Sequence, residues 1–242
     1  EPAFITQTAA FVAELKGLSF EDIGRITARG AKELFGIGEA EGAKIAYSIR
    51  DSLYLNVTAK CTNRCVFCPK NRDSVVKGHD LSLRGGDPSA EELLKAVESE
   101  GGPARWSEVV FCGYGEPLTR LDAVLKVARE LKKRGARRIR VNTDGLGNLY
   151  HGRDITGELA QVVDSISISL NAPTKEQYNL ICRPSLDGAY ESMLDFLAKC
   201  AKKIPEVTAT AVAMEGVDIK ACAEMARAAG AKFRSRPYNE LG

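Results

Sequence analysis

The chain is short of the residues that mark several common classes of protein. Its 242 residues include two histidines, His79 and His151, one tryptophan and three methionines, and aromatics make up 7%. No apolar run approaches the ~20 residues needed for a membrane helix, which excludes a spanning segment of that kind and predicts a soluble chain. Neither sign of charge dominates: 34 basic residues stand against 32 acidic ones, a formal balance of +2 that argues against a nucleic-acid partner. There is no signal-like stretch, and the chain opens at Glu1 without a methionine, which reads as a cut or processed chain and not a secreted one. The seven cysteines are not spaced as a dense disulfide framework, so a reducing cytoplasm is the expected compartment. What is present in quantity is apolar residue, 44%, enough over this length for one large α/β domain with a small appendage.

The distinctive stretch is Cys61-Thr-Asn-Arg-Cys65-Val-Phe67-Cys68, directly after a short apolar strand, Leu53-Tyr-Leu-Asn-Val57. Thiolates so spaced can converge on one small inorganic centre. A structural zinc site and a conventional electron-transfer cluster each use four protein ligands, whereas a catalytic centre keeps one position open. Neither histidine stands at a ligand-like offset from the triplet. Taken alone, the triplet has a lesser reading as a partial zinc knuckle or three unrelated thiols.

The CxxxCxxC loop with an aromatic, Phe67, before its last cysteine resembles the signature of radical S-adenosylmethionine enzymes. That resemblance implies a 4Fe-4S cluster held by Cys61, Cys65 and Cys68, with the fourth iron chelated by the amino and carboxylate groups of S-adenosylmethionine. It further implies reductive cleavage of the sulfonium S–C5′ bond and hydrogen abstraction from a substrate by the resulting 5′-deoxyadenosyl radical. It covers about residues 53–242.

Residues 2–36 read as helices. Pro2 suits a first turn, Gly17 stops the first helix, Ser19 with Asp22 caps a second, and Thr27 is placed to cap a short last one. Phe11 to Thr27 followed by Ala31 to Gly36 resembles the C-terminal helices of TatD-family metal-dependent hydrolases. That implies a fused or neighbouring hydrolase of the TatD type, with its metal residues outside this chain; as a purely physical element, the segment is an arm packed on the main domain. Residues 37–52 read as a linker with some helical character, and the main domain spans 53–242.

From Leu53 the sequence alternates strand and helix. Six strands are expected, at Leu53–Val57, Val109–Cys112, Ile139–Asn142, Ile166–Leu170, Val207–Ala213 and Lys232–Arg236. Helices are expected to open at Ser89 with Glu92, Thr119 with Asp122 and Thr174 with Gln177. Six units are too few for an eight-unit closed barrel. The expected fold is therefore α/β, a partial (β/α)6 TIM-like barrel, which is also the fold the resemblance implies.

In such architectures reacting groups gather at the carboxyl ends of the strands. After the second strand comes Gly113-Tyr114-Gly115-Glu116, whose glycines allow close backbone approach to a ligand and whose carboxylate can accept from an ammonium. It is similar to the family's Gly-Gly-Glu motif, which holds the methionine amino group, with the first of the paired glycines displaced. Asn142-Thr143-Asp144-Gly145 is similar to the family's Thr-Asn-Gly stretch. Ser169 and Asn171 match the region that the family uses for the ribose diol; they read equally as turn formers ending a strand. Arg183 and Arg236 are candidates to clamp a carboxylate or phosphate of the substrate, against the commoner fate of a surface arginine.

Eight basic residues against Glu130 between Lys126 and Arg140 read as a solvated face and not an RNA-binding patch. The insertion Pro69–Pro88 could cover the cluster side of the site. The expected partners are a small-molecule or peptide substrate and an electron donor such as flavodoxin or ferredoxin. The rival reading is a non-catalytic iron–sulfur or zinc protein accessory to a TatD-type hydrolase, with Cys112 the nearest thiol to supply a fourth ligand.

Overall fold

The computed structural model describes residues 2–37, 42–71 and 74–238. After a short 3-10 turn, the elements run α1 (Ile5–Lys16), α2 (Phe20–Phe35), β1 (Ala46–Ile49), β2 (Ser52–Asn56), β3 (Val75–Val76), β4 (His79–Asp80), α3 (Ala90–Ser99), β5 (Glu108–Cys112), α4 (Leu121–Lys133) and β6 (Ile139–Thr143). They continue with α5 (Gly147–His151), α6 (Thr156–Ala160), β7 (Ser165–Ser169), α7 (Lys175–Cys182), α8 (Ala189–Lys203), β8 (Glu206–Ala213), α9 (Ile219–Ala228) and β9 (Lys232–Pro237).

The six expected strands, β2 and β5 to β9, join β1 in one seven-stranded sheet of order β1-β2-β5-β6-β7-β8-β9, parallel from β2 onward. β1 and β9 are free edges, so the barrel is open, in agreement with a partial TIM-like barrel. β1 corrects the linker reading of 37–52: it pairs antiparallel with β2, Ala46 opposite Leu55 and Ile49 opposite Ser52. Four residues of mixed polarity are too short a pattern to stand out, and Arg50, at φ +56°, turns the chain back through a tight hairpin.

Side-chain alternation divides the sheet into two faces. Leu53, Leu55, Val109, Phe111, Ile139, Val141, Ile166, Ile168, Ala209 and Ala211 are buried in the main core with Leu93, Val124, Leu131, Phe196 and Leu197 from the helices. Each large aliphatic or aromatic side chain so buried contributes about 1.5–3 kcal/mol. The alternate residues, among them Asn56, Arg140, Asn142, Ser167, Ser169 and Thr210, are polar and take the inner face. Ser89 and Thr174 cap α3 and α7 as expected. Thr119 does not cap α4, because a 3-10 turn, Pro117–Arg120, intervenes and its hydroxyl donates to the Glu116 carbonyl.

The arm is α1 and α2. Thr27 lies inside α2 and opens no helix, its hydroxyl donating back to the Ile23 carbonyl at 2.8 Å. Ser19 and Asp22 form a capping box, and Asp22 also pairs with Arg25 and, at 3.4 Å, with Lys77 beside the β3–β4 hairpin. Arg25 Nε donates to the Lys77 carbonyl at 3.2 Å. Burial opposes ionisation of Asp22, but the Ser19 amide, Lys77 and Arg25 outweigh it and hold the carboxyl below its usual range. Asp22→Ala should cost about 1–2 kcal/mol. The depressed pKa means that this contribution is present above the unfolded-state value near 4 and is lost as pH falls through the folded value. The gap in urea midpoint between wild type and Asp22→Ala should therefore be wide at pH 6 and narrow towards pH 3; a gap independent of pH would contradict the role given to this carboxylate.

Candidate functional site

The three cysteines follow β2 at its carboxyl end. None is in a disulfide; Cys61 is exposed and Cys65 and Cys68 are half-buried, while Cys112, Cys182, Cys200 and Cys222 are buried. The loop is held across the sheet. Arg64 N donates to the Cys182 carbonyl at 3.0 Å, Val66 N to the Ile181 carbonyl at 2.8 Å, and Ser185 N to the Thr62 carbonyl at 2.8 Å, so a loop from β2 is docked on the end of α7. The insertion grips it from the other side: Asn71 Nδ2 donates to the Cys65 carbonyl at 2.9 Å, and the Lys70 ammonium reaches the Ala59 carbonyl. Beyond that grip, the hairpin β3–β4 packs on the arm and β1, with Val76 and Leu81 beside Tyr47 and Cys112.

Gly113 and Gly115 have a steric cause that can be read directly. A Cβ on Gly115 would lie 1.9 Å from the Lys60 carbonyl oxygen, and one on Gly113 2.6 Å from that of Thr58. Gly115 N donates to the Thr58 carbonyl at 2.9 Å and Glu116 N to the Lys60 carbonyl at 2.7 Å. The close approach expected of these glycines is thus made to the backbone leading into Cys61. Tyr114 N donates to Asn56 Oδ1 at 3.0 Å, and the Tyr114 ring packs beside Tyr47 and Cys112 with the Lys70 ammonium 5.7 Å from its centroid.

Glu116 is buried and already engaged. Its Oε1 accepts from Leu118 N at 2.9 Å and Thr143 Oγ1 at 2.7 Å, and its Oε2 from Asp144 N at 2.6 Å. It ties the end of β5 to the end of β6, which leaves about one acceptor position for an ammonium. Asp144, missed as a site residue, accepts from the Thr62 hydroxyl at 2.5 Å and so joins β6 to the cysteine loop. Burial raises the pKa of both carboxyls, and for Glu116 the neighbouring Asp144 adds to it. The signal for Asp144 was available: a carboxylate before a glycine at a strand end.

The remaining candidates separate. Thr143 is a structural partner of Glu116, while Asn142 lies on the inner face and accepts from Arg140 at 3.0 Å. Ser169 is half-buried at the end of β7; Asn171 is buried at φ +59°, its Nδ2 donating to Cys182 Sγ at 3.4 Å and its Oδ1 without a partner. Phe67 packs against the main core. Arg183 is exposed and ends α7 in the left-handed region, the surface outcome for that residue. The thiol next to the triplet is Cys182, beside Cys65, and not Cys112, which sits 3.5 Å from the Tyr47 hydroxyl. The face of α4 is solvated and paired, Lys126 with Glu91, Lys132 with Asp164 and Arg134 with Glu98 and Glu130. A cavity of about 950 Å³ lies between α2, β1 and the hairpin, and no residue of the cysteine loop lines it. The donors, not the volume, locate the site.

The donor set fits an iron–sulfur cluster in kind: three soft thiols on one loop, unpaired, at the rim of an open barrel. Among the described residues no three cysteine, histidine or carboxylate side chains, the cysteine triplet included, are grouped as the ligands of a single metal ion. Although Cys61 as a residue is exposed, desolvation of its thiol, with Asp144 nearby, pushes it up to about 12, so ligation at neutral pH must displace a proton.

A six-strand parallel half-barrel with a CxxxCxxC loop after its first parallel strand defines a class. The family described as the radical SAM superfamily matches residues 55–229, and the chain belongs to it. A probable dual-specificity RNA methyltransferase RlmN of Nocardioides sp. is 30% identical over 155 residues, 60% of this chain and 40% of that protein. Its counterpart in Bifidobacterium longum is 25% identical over 183 residues, 72% and 44%. The chain spans about two fifths of the length of these curated relatives. Among solved structures, Streptococcus suis SuiB bound to S-adenosylmethionine aligns with a TM-score of 0.59 at 14% identity, over 96% of this chain and 56% of that one. Methylornithine synthase (PylB) aligns at 0.54 and 13%, over 93% and 62%. These confirm the fold. The relatives named for RNA remove support from the charge-based argument against a nucleic-acid partner. No helix among the described residues is long and apolar enough to cross a membrane.

Proposed function

We propose that the chain is an enzyme that uses a 4Fe-4S cluster and S-adenosylmethionine to abstract hydrogen from a substrate. The observation that carries this reading is the set of three unpaired thiols on a loop braced from both sides at the carboxyl end of β2. When bound, the two cofactors supply one-electron cleavage of the sulfonium S–C5′ bond and with it a hydrogen-abstracting radical. Cys61, Cys65 and Cys68 would hold three irons. The loop Gly113–Glu116, seated on the backbone of residues 58–60, would present its free acceptors to the methionine amino group, and Ser169 and Asn171 their polar atoms to the ribose. Asn142, on the inner face, would offer the same ligand its amide nitrogen, its oxygen being taken by Arg140. Asp144, through Thr62, fixes where the cysteine loop stands relative to β6.

An external donor such as flavodoxin or ferredoxin would deliver the electron, in a reducing cytoplasm where the thiols survive. RNA, the substrate named for the curated relatives, is the first to offer the reconstituted protein. The likeness of α1 and α2 to TatD-type hydrolases supports a reading in which the chain works joined to or beside such a hydrolase; the described contacts give the arm a packing role on β3–β4.

Anaerobic reconstitution with iron and sulfide should give a brown protein with about four irons and four sulfides per chain. The electron paramagnetic resonance signal of its reduced cluster should change on adding S-adenosylmethionine. A signal indifferent to S-adenosylmethionine would favour the accessory-protein reading.

A further inference from the structure

Two arginines with buried Nε atoms that make no hydrogen bond stand out among the described residues, Arg138 and Arg236. Arg138 has two counter-charges, Glu108 at 3.8 Å from its Nε and Glu206 at 2.8 Å from its Nη2. Arg140, on the inner face, is likewise neutralised by Glu108 at 2.7 Å and bonded to the Tyr54 hydroxyl at 3.2 Å. Arg236 has no carboxylate partner at all among the described residues.

Its position is fixed by register. Phe233 packs against the main core, so Arg234 and Arg236 take the opposite, inner face of β9, beside Thr210 and Val212 of β8. Arg236 is the last residue but one of β9, paired with Val212 near the end of β8, so the cation lies at the carboxyl end of the sheet, the end at which the cysteine loop follows β2. Arg234, a like charge, is its neighbour on the same face. A half-buried guanidinium with no anion of its own is costly to keep, and such groups persist where a ligand supplies the partner. Guanidinium geometry selects planar or tetrahedral oxyanions.

We propose that Arg236 binds an oxyanion of the substrate, so that the molecule attacked at this site carries a carboxylate or phosphate group reached from the inner face of β9. This rests on the reading of the site given above and narrows it: the substrate is an acid, held on the cluster side of the barrel by Arg236 with Arg234 beside it.

The reconstituted protein is titrated with inorganic phosphate or with acetate against chloride at constant ionic strength, and its melting temperature followed. At least one of the two anions should raise it by about 2–4 °C in wild type and not in Arg236→Gln. Whichever anion gives the Arg236-dependent shift identifies a phosphoryl or a carboxylate substrate group. In chloride, Arg236→Gln should itself melt higher than wild type, having lost an unpaired cation. Arg137→Gln, which removes the same charge before β6 at the other end of the strands, should respond to the anion as wild type does.

Affinity for S-adenosylmethionine, iron content and the spectrum of the reduced cluster should be unchanged in Arg236→Gln, within about twofold for the dissociation constant. A tenfold loss of S-adenosylmethionine affinity would hand the arginine to that cofactor's carboxylate, and an altered cluster spectrum would make it a counter-charge for the cluster; either overturns the proposal. So does an anion shift that survives in Arg236→Gln or is absent from wild type. Repeating the titration on the cluster-free protein separates this outcome from a failure of the cluster to assemble.

Discussion

Replacing any one of Cys61, Cys65 and Cys68 by alanine is expected to lower reductive cleavage of S-adenosylmethionine by about 10³-fold or more, a loss of roughly 4 kcal/mol of barrier reduction. The folded state should hardly notice. Cys61 is exposed and the other two are half-buried, Cys65 at the edge of the main core, so alanine should cost well under ~1 kcal/mol at Cys61 and Cys68 and about 1 kcal/mol at Cys65. The same replacement at Cys200 or Cys222 should give the reverse pattern. Those thiols are fully buried among core side chains, so alanine there should lower the melting temperature while activity per folded molecule stays. Iron content, melting temperature and 5′-deoxyadenosine yield, measured together on the five variants, check this. An alanine at position 61, 65 or 68 that keeps its iron and its yield would contradict the assignment of that residue.

Gly115→Ala should be the most damaging alanine substitution among the described glycines. Its Cβ would stand 1.9 Å from the Lys60 carbonyl oxygen and 2.5 Å from the Lys60 carbonyl carbon, both backbone atoms with no rotamer to yield. The loop Gly113–Glu116 must then lift off residues 58–60, losing the bonds from Gly115 N to Thr58 and from Glu116 N to Lys60. Overpacking of this kind costs about 1–3 kcal/mol, and the lost backbone bonds add about 1 kcal/mol each. The displaced segment is the one leading into Cys61, so cluster content should fall with stability. Gly152→Ala provides the contrast: its φ is +63° but nothing lies within 4 Å, so it should cost about 1 kcal/mol of backbone strain and leave the cluster alone. Equal iron content in Gly115→Ala and wild type would contradict the seating of one loop on the other.

The parts of this architecture that were readable in the chain are those written locally. Each parallel strand is a short run of β-formers, and each loop after it begins where that run ends, so the sequence alone puts the cysteine triplet, Gly113–Glu116 and Ser169 at one end of the barrel. The capping boxes at Ser19 and Ser89 are equally local, four residues wide. β1 was lost because Ala46-Tyr-Ser-Ile49 carries no clear alternation, and its strand character comes from pairing with β2. The long-range ties were invisible for a different reason. Thr62 meets Asp144 across 82 positions, and Asn63 Nδ2 donates to the Tyr178 hydroxyl at 3.4 Å across 115, distances at which no periodicity carries information. Cys112 is the unassigned thiol nearest the triplet in sequence, but docking of residues 64–66 on 181–183 brings Cys182 beside Cys65 instead.

The central claim is that these three thiols leave one iron to the sulfonium cofactor, which a single electron then splits. It is tested most directly by reducing the reconstituted protein under anaerobic conditions with excess S-adenosylmethionine and quantifying both products. Equimolar 5′-deoxyadenosine and methionine, formed only when cluster and reductant are both present, is the predicted result. A colourless protein that carries stoichiometric zinc and returns S-adenosylmethionine intact would contradict it.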